Sequence, residues 1–205
     1  MLTLFYAPQT RATGVRILLE ELGAPYDLHV LRLRRNEQHA PDFLAINPLG
    51  KVPAILHDGA VITEQAAIYQ YLAELFPERG LAPPIGDRLR GPYLRWLAFY
   101  GASFEPAMID KHLQRDPGQA MMSPYGSYDR VVDALEQQLG AGPFMLGERF
   151  SAVDVLWGVA LGWMLQFGML PKRPAFTAFA GRIAGRAASR KVTDEDAALA
   201  AMQPE

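Results

Sequence analysis

Residues 47–56 read NPLGKVPAIL. VPAIL is strand-like, yet Pro53 has no N–H for a sheet ladder and belongs at an edge, a strand start or a bulge. HDG at 57–59 and AVI at 60–62 follow it, the pattern of a hairpin. The proline therefore sits at the opening of a hairpin's first strand. An X-Pro bond needs only about 0.5–1 kcal/mol to be cis. A cis Pro53 would swing Val52 out of the ladder and free its N–H and C=O at the sheet edge. A peptide-like ligand can pair with such groups as an added strand does. A trans proline at a strand start is the plainer alternative.

Outward from the hairpin, residues 1–76 alternate strand and helix signals. LTLFY (2–6) is a short β-type run, and Val15, Leu18, Leu19 and Leu22 recur at helical spacing. Gly23 supplies a helix stop. YDLHVLRL (26–33) reads as a second strand, and Ala67, Ile68, Tyr71, Leu72 and Leu75 form another helical stripe. The order is β-α-β, a short irregular or helical piece, then β-β-α. It implies a small mixed sheet, with a parallel pair joined by a helix and an antiparallel hairpin.

PERGLAPPIG (77–86) is a linker by its proline and glycine content. Beyond it 87–113, 125–140 and 151–165 all read as helical. The fold class expected is an α/β domain at 1–78 followed by an all-α domain at 87–205. Ser151 and Asp154 make a capping box, and Phe150 and Val155 occupy the positions of a hydrophobic staple. The signal is structural, a start for a buried helix whose first N–H groups need local partners.

The 205 residues are half hydrophobic and one fifth charged, with formal net charge −2. No strong field favours nucleic acid or a membrane surface. RLRR at 32–35 reads as a solvated strand end. With no cysteine in the chain, disulfides, thiolate nucleophiles and cysteine-based zinc sites are excluded. Any thiol must arrive with a substrate. MLTLFYAPQTR has no basic leader or cleavage site, so no signal peptide is expected. The apolar run 155–170 is shorter than the ~20 residues of a membrane helix. A cytoplasmic protein is the expectation, with no membrane and no nucleic-acid partner.

NPLGKVPAIL, ITEQAAIYQYL (62–72), LLEELGAPYDL (18–28) and FSAVDVLWG (150–158) stand in an order and spacing that resemble the cytosolic glutathione transferases of bacterial type, across essentially the whole chain. The resemblance implies a thioredoxin-like N-terminal domain with a mixed four-stranded sheet and a helical C-terminal domain. It also implies a homodimer, a cis Pro53, and a Val52 whose backbone pairs with the cysteinyl unit of glutathione. Glutathione enters as co-substrate, no metal is called for, and the partner is a small electrophile of the kind met in detoxification.

The resemblance also assigns roles. TEQAAI (63–68) opens a helix whose free N–H groups and dipole suit an anion. There Gln65 would hold the γ-glutamyl carboxylate and Glu64 the ammonium. Gln65 departs from the family's usual serine. Gln38 and His39, in NEQHAPDFLAINP (36–48), match positions that hold the glycine carboxylate, and Lys51, beside the motif proline, is a further candidate for it. His39 alone would read as a surface histidine. In YAPQTRATG (6–14), Thr10 falls where many members place an activating serine. Tyr6 lies near the catalytic tyrosine of other classes, with a packed core tyrosine as its alternative, and the N–H of Arg11 ranks third. A free cysteine thiol has a pKa near ~8.5, so a donor aimed at the sulfur lowers the cost of the thiolate. Tyr100, Phe104 and Met108 share one helical face and read either as the wall of a second-substrate pocket or as bundle core. The leading function is attack of the glutathione thiol on an electrophilic apolar small molecule. The alternatives are a non-catalytic binder of the same fold, a glutathione-dependent isomerase or a peroxidase.

Overall fold

The computed structural model describes residues 1–203. It falls into two compact units, residues 1–79 with the segment from Arg186 onward, and residues 80–185.

In the first unit β1 (Leu2–Tyr6), α1 (Ala12–Leu22) and β2 (Asp27–Val30) form a parallel strand pair joined by a helix. A short helix α2 (Pro41–Leu44) precedes the hairpin β3 (Ala54–His57) and β4 (Ala60–Ile62), and α3 (Gln65–Leu75) follows it. The sheet order is β2-β1-β3-β4, with β3 antiparallel to both its neighbours. Side chains alternate across a strand. Leu4 and Tyr6 point one way and are fully buried, as are Leu18, Leu19, Leu22, Ile68 and Leu72 of the helices. Phe5 points the other way into a cluster with Leu31, Phe43 and Ala54. The mixed four-stranded sheet expected from the sequence is therefore the one observed, in thioredoxin-like arrangement.

Register decides where function can sit. Phe5 faces Ala54, Ile55 faces Ile62, and Tyr6 faces Val30. The turn after β1, the Val52–Pro53 segment before β3, the Glu64 corner after β4 and the stretch after β2 all leave the sheet at one end.

The second unit is helical: α4 (Arg90–Phe99), α5 (Glu105–His112), α6 (Tyr128–Leu139), α7 (Ala152–Gln166) and α8 (Pro174–Ala184). A π-helical turn at Tyr100–Phe104 joins α4 to α5. Pro106 has no N–H to give the carbonyl four residues back, and the turn before it is widened, with the Glu105 N–H bonded to Tyr100 O. Asp154 is buried at the start of α7, where its carboxylate accepts from the Met145 N–H (2.6 Å), the Ser151 N–H (2.8 Å) and the Ser151 hydroxyl (2.9 Å). Gly158 lets α7 and α8 approach closely, since a Cβ there would lie 2.4 Å from that of Ile183.

One boundary differs from the sequence expectation of a helical domain at 87–205. The last helix, α9 (Ala187–Ala201), groups with the sheet unit. Charge pairs carry it there. Arg186 binds Glu21 through two bonds of 2.6 and 2.8 Å, Lys191 binds Glu20 at 2.7 Å, and Glu195 pairs with Arg16.

Candidate functional site

The Val52–Pro53 peptide bond is cis. Val52 is half-buried against the Phe5 and Phe43 cluster, and Pro53 is buried. The loop before them is pinned by Asn47, only 4% exposed. Its side-chain amide donates to Lys51 O (2.8 Å) and its carbonyl oxygen accepts the Leu49 N–H (3.1 Å). Lys51 is thereby exposed on a fixed backbone. Sequence reasoning passed over Asn47. Its signal was a polar residue among turn residues that can bond its own backbone.

Gln38 and His39 lie on the loop beside it. Asn36, itself at φ 61°, accepts from the Gln38 amide (3.4 Å) and bonds His39 Nδ1 (2.8 Å). The Gln38 Oε1 is buried without a partner. Gly50 (φ 61°) is required here, because a Cβ would come within 2.6 Å of the His39 ring and 3.0 Å of Gln38 O. The packing draws Gln38, His39 and Lys51 into one neighbourhood.

Glu64 is exposed, with φ 64° and ψ 122°. For a non-glycine residue that is the left-handed side of the map, and such positions cost about 1–3 kcal/mol and cluster at ligand sites. Gln65 begins α3, and no side chain caps that end. The free N–H groups of the first turn and the helix dipole face outward there, an arrangement that favours a carboxylate.

At the turn after β1, Thr10 is half-buried. Its hydroxyl donates to Ala7 O (2.7 Å), and its oxygen accepts the Ala12 N–H (3.2 Å), closing the start of α1. Arg11 is exposed at the N-cap of α1. A cleft of about 210 Å³ opens here, lined by Ala7, Pro8, Gln9, Thr10, Leu33, Arg34, Ala200 and Gln203. Tyr6 is different. It has no exposed surface, and its hydroxyl donates to the buried carboxylate of Asp196. Burial first, and then that bond, push its pKa well above the ordinary tyrosine value. Of the two readings of Tyr6, the geometry is that of the core tyrosine.

Tyr100, Phe104 and Met108 are likewise interior, 4%, 0% and 0% exposed. Trp157 stands among them, 5.7 Å from the Tyr100 ring and 4.8 Å from that of Phe104. The bundle-core alternative fits these three. Among the described residues no group of His, Cys, Asp or Glu is arranged to hold a metal, and no helix is long and apolar enough to cross a membrane.

Known proteins share this architecture. Residues 1–74 match the family described as glutathione S-transferase, N-terminal domain, and residues 125–182 match glutathione S-transferase, C-terminal domain. The chain is 31% identical to a glutathione transferase from Methylococcus capsulatus strain Bath, with TM-score 0.81 over 97% of this chain and 100% of that one. It is 32% identical to a sphingomonad glutathione S-transferase solved in complex with glutathione, with TM-score 0.79 over 95% and 98%. It is also 29% identical to the disulfide-bond oxidoreductase YfcG of Escherichia coli K12, over 92% of this chain and 93% of that protein.

Proposed function

The chain belongs to the glutathione transferase family, and from that premise we propose that it binds glutathione at the end of its sheet and directs the thiol at a small apolar electrophile. The observation that carries this reading is the register. It brings the Val52–Pro53 segment, the uncapped start of α3 and the Thr10 turn to one end of the sheet. Those are three separate kinds of partner for one tripeptide. The Val52 N–H and C=O would pair with the cysteinyl backbone as a short added strand. Gln65 and the first turn of α3 would take the γ-glutamyl carboxylate, and Glu64 the ammonium. Gln38, His39 and Lys51 would take the glycine carboxylate. The thiol would then lie toward Thr10.

Chemistry at the sulfur is the demanding step. Lowering a thiol pKa by two units takes ~2.7 kcal/mol of preferential thiolate stabilisation. The Thr10 hydroxyl can contribute by turning from Ala7 O to the sulfur, and the backbone N–H groups at Thr10 and Arg11 add the field of the α1 N-terminus. With the thiolate formed, positioning the electrophile beside it does the rest.

A second reading is favoured by one specific contact. The Thr10 hydroxyl proton already has an acceptor in Ala7 O, so a protein that binds glutathione without activating it fits the same geometry. Ultraviolet absorbance of the bound thiolate separates the two. The transferase reading expects a bound thiol titrating below the free one, and a bound thiol titrating like free glutathione leaves the binder. A homodimer is part of the same proposal, supported by exposed apolar side chains such as Val61, Leu75 and Ile85. So is a role in cytoplasmic detoxification, which rests on the family alone.

Calorimetry with glutathione tests the binding half. Gln65→Ala is expected to weaken binding by about 1.5–3 kcal/mol, the range for hydrogen bonds to charged groups. A wild-type protein that takes up no glutathione would overturn the reading.

A further inference from the structure

The turn that would face the sulfur is held from a residue 187 positions away in sequence. Gln9 sits at φ 55°, a backbone conformation that residues other than glycine adopt only at a cost. Thr10's own bonds are local: its hydroxyl bonds Ala7 and Ala12, and its carbonyl accepts the Thr13 N–H at 3.0 Å. A long-range hold comes from Asp196 of α9, only 7% exposed. Both its carboxylate oxygens accept the Gln9 N–H, at 3.2 and 3.0 Å. The same carboxylate accepts from the Tyr6 hydroxyl and, at 3.4 Å, from the Thr13 hydroxyl. One buried group thus ties the end of β1, the turn itself and the first turn of α1, the points on either side of Thr10.

We propose that Asp196 is a positioning residue for the thiol chemistry: by gripping the Gln9 N–H it sets the direction in which the Thr10 hydroxyl and the adjoining N–H groups point. This rests on the glutathione reading above. Asp196 does not touch the ligand; it acts through Gln9. The end of α9 reaches the same cleft, whose lining includes Ala200 and, just beyond the helix, Gln203, together with Pro8 and Thr10. A carboxylate suits the task because it accepts from several donors at once. Its charged neighbours are Arg16 of α1, whose guanidinium lies 5.5 Å over the Tyr6 ring, and Glu195, which Arg16 pairs with. With the Arg186–Glu21 and Lys191–Glu20 pairs they tie α9 to α1 independently of Asp196, so the helix is expected to stay docked when Asp196 is replaced.

Steady-state kinetics with glutathione and chlorodinitrobenzene, with ultraviolet titration of the bound thiolate, read the proposal. Asp196→Ala is expected to lower kcat about tenfold at neutral pH, since a small misdirection of a catalytic group is costly. The KM for glutathione should stay within about twofold, because the binding groups at Val52 and Gln65 belong to other segments, and the thiolate midpoint should move up. Asp196→Asn keeps one acceptor for Gln9 and should restore most of the loss. In a Thr10→Ala background, Asp196→Ala should cost little more, as expected of residues acting through one another. If Asp196→Ala fails to fold, the Tyr6→Phe/Asp196→Ala double variant removes the orphaned hydroxyl and permits the same measurements. A loss confined to KM, an unmoved midpoint, or full additivity with Thr10→Ala overturns the proposal. A wild-type protein that shows no thiolate signal defeats instead the reading beneath it.

Discussion

Asp154 is a buried carboxyl whose ionisation bears on the stability of the helical unit. Burial pushes its carboxyl up to about 6, against three hydrogen bonds that favour the charged form. The folded value lies above the unfolded one, so its contribution is fully present below the unfolded pKa and is lost as pH rises through about 6. The change amounts to about 3 kcal/mol between pH ~4 and pH ~7 at 1.36 kcal/mol per unit. Denaturant unfolding of wild type and Asp154→Asn across that range checks it. The stability difference between the two should shift toward the variant as pH rises, and a difference independent of pH would contradict the assignment. Asp154 was legible in the sequence because its signal is local, a serine three residues before it at the head of an apolar run. Tyr6 was not. A tyrosine at a strand end looks the same whether its hydroxyl faces a ligand or a buried acid, and the acid here is 190 positions away. Asp196 was unreadable for the same reason.

At the scale of elements, patterns of apolar spacing carried the sheet, α1, α3, α6 and α7. They missed the placement of α9, whose AASRKVTDEDAALAA has a weak apolar stripe and docks on α1 through ion pairs. They also read 87–113 as plain helix, although Pro106 was the visible mark of the π turn before it. The α7–α8 contact gives the element-scale test. Alanine is the better helix former by about 1 kcal/mol. At Gly158, however, the new methyl would meet Ile183 at 2.4–2.6 Å. Overpacking of that kind costs about 1–3 kcal/mol or more, so Gly158→Ala should give a net loss of stability in chemical denaturation. A stabilised variant would mean that the two helices separate easily.

For the molecule as a whole, the half of the site proposed to bind the ligand was the more legible half. Pro53, Glu64 and Gln65 stand in motifs set by chain direction at the end of a sheet, and such motifs survive as short strings. The thiol end was less legible, because Thr10 bonds to its own turn while the grip on that turn comes from the far end of the chain. The bundle residues Tyr100, Phe104 and Met108 were ambiguous by nature, since one helical face serves equally as core or as wall. Glutathione is proposed to lie along the end of the sheet with its sulfur toward Thr10. A crystal structure of the protein soaked with glutathione measures this most directly. The cysteinyl backbone is expected to pair with Val52, the γ-glutamyl carboxylate to lie on the first turn of α3 beside Gln65, and the sulfur to lie within hydrogen-bond reach of the Thr10 hydroxyl or the N–H of Thr10 or Arg11. Glutathione bound with its sulfur turned away from that turn, or bound elsewhere on the molecule, would contradict it.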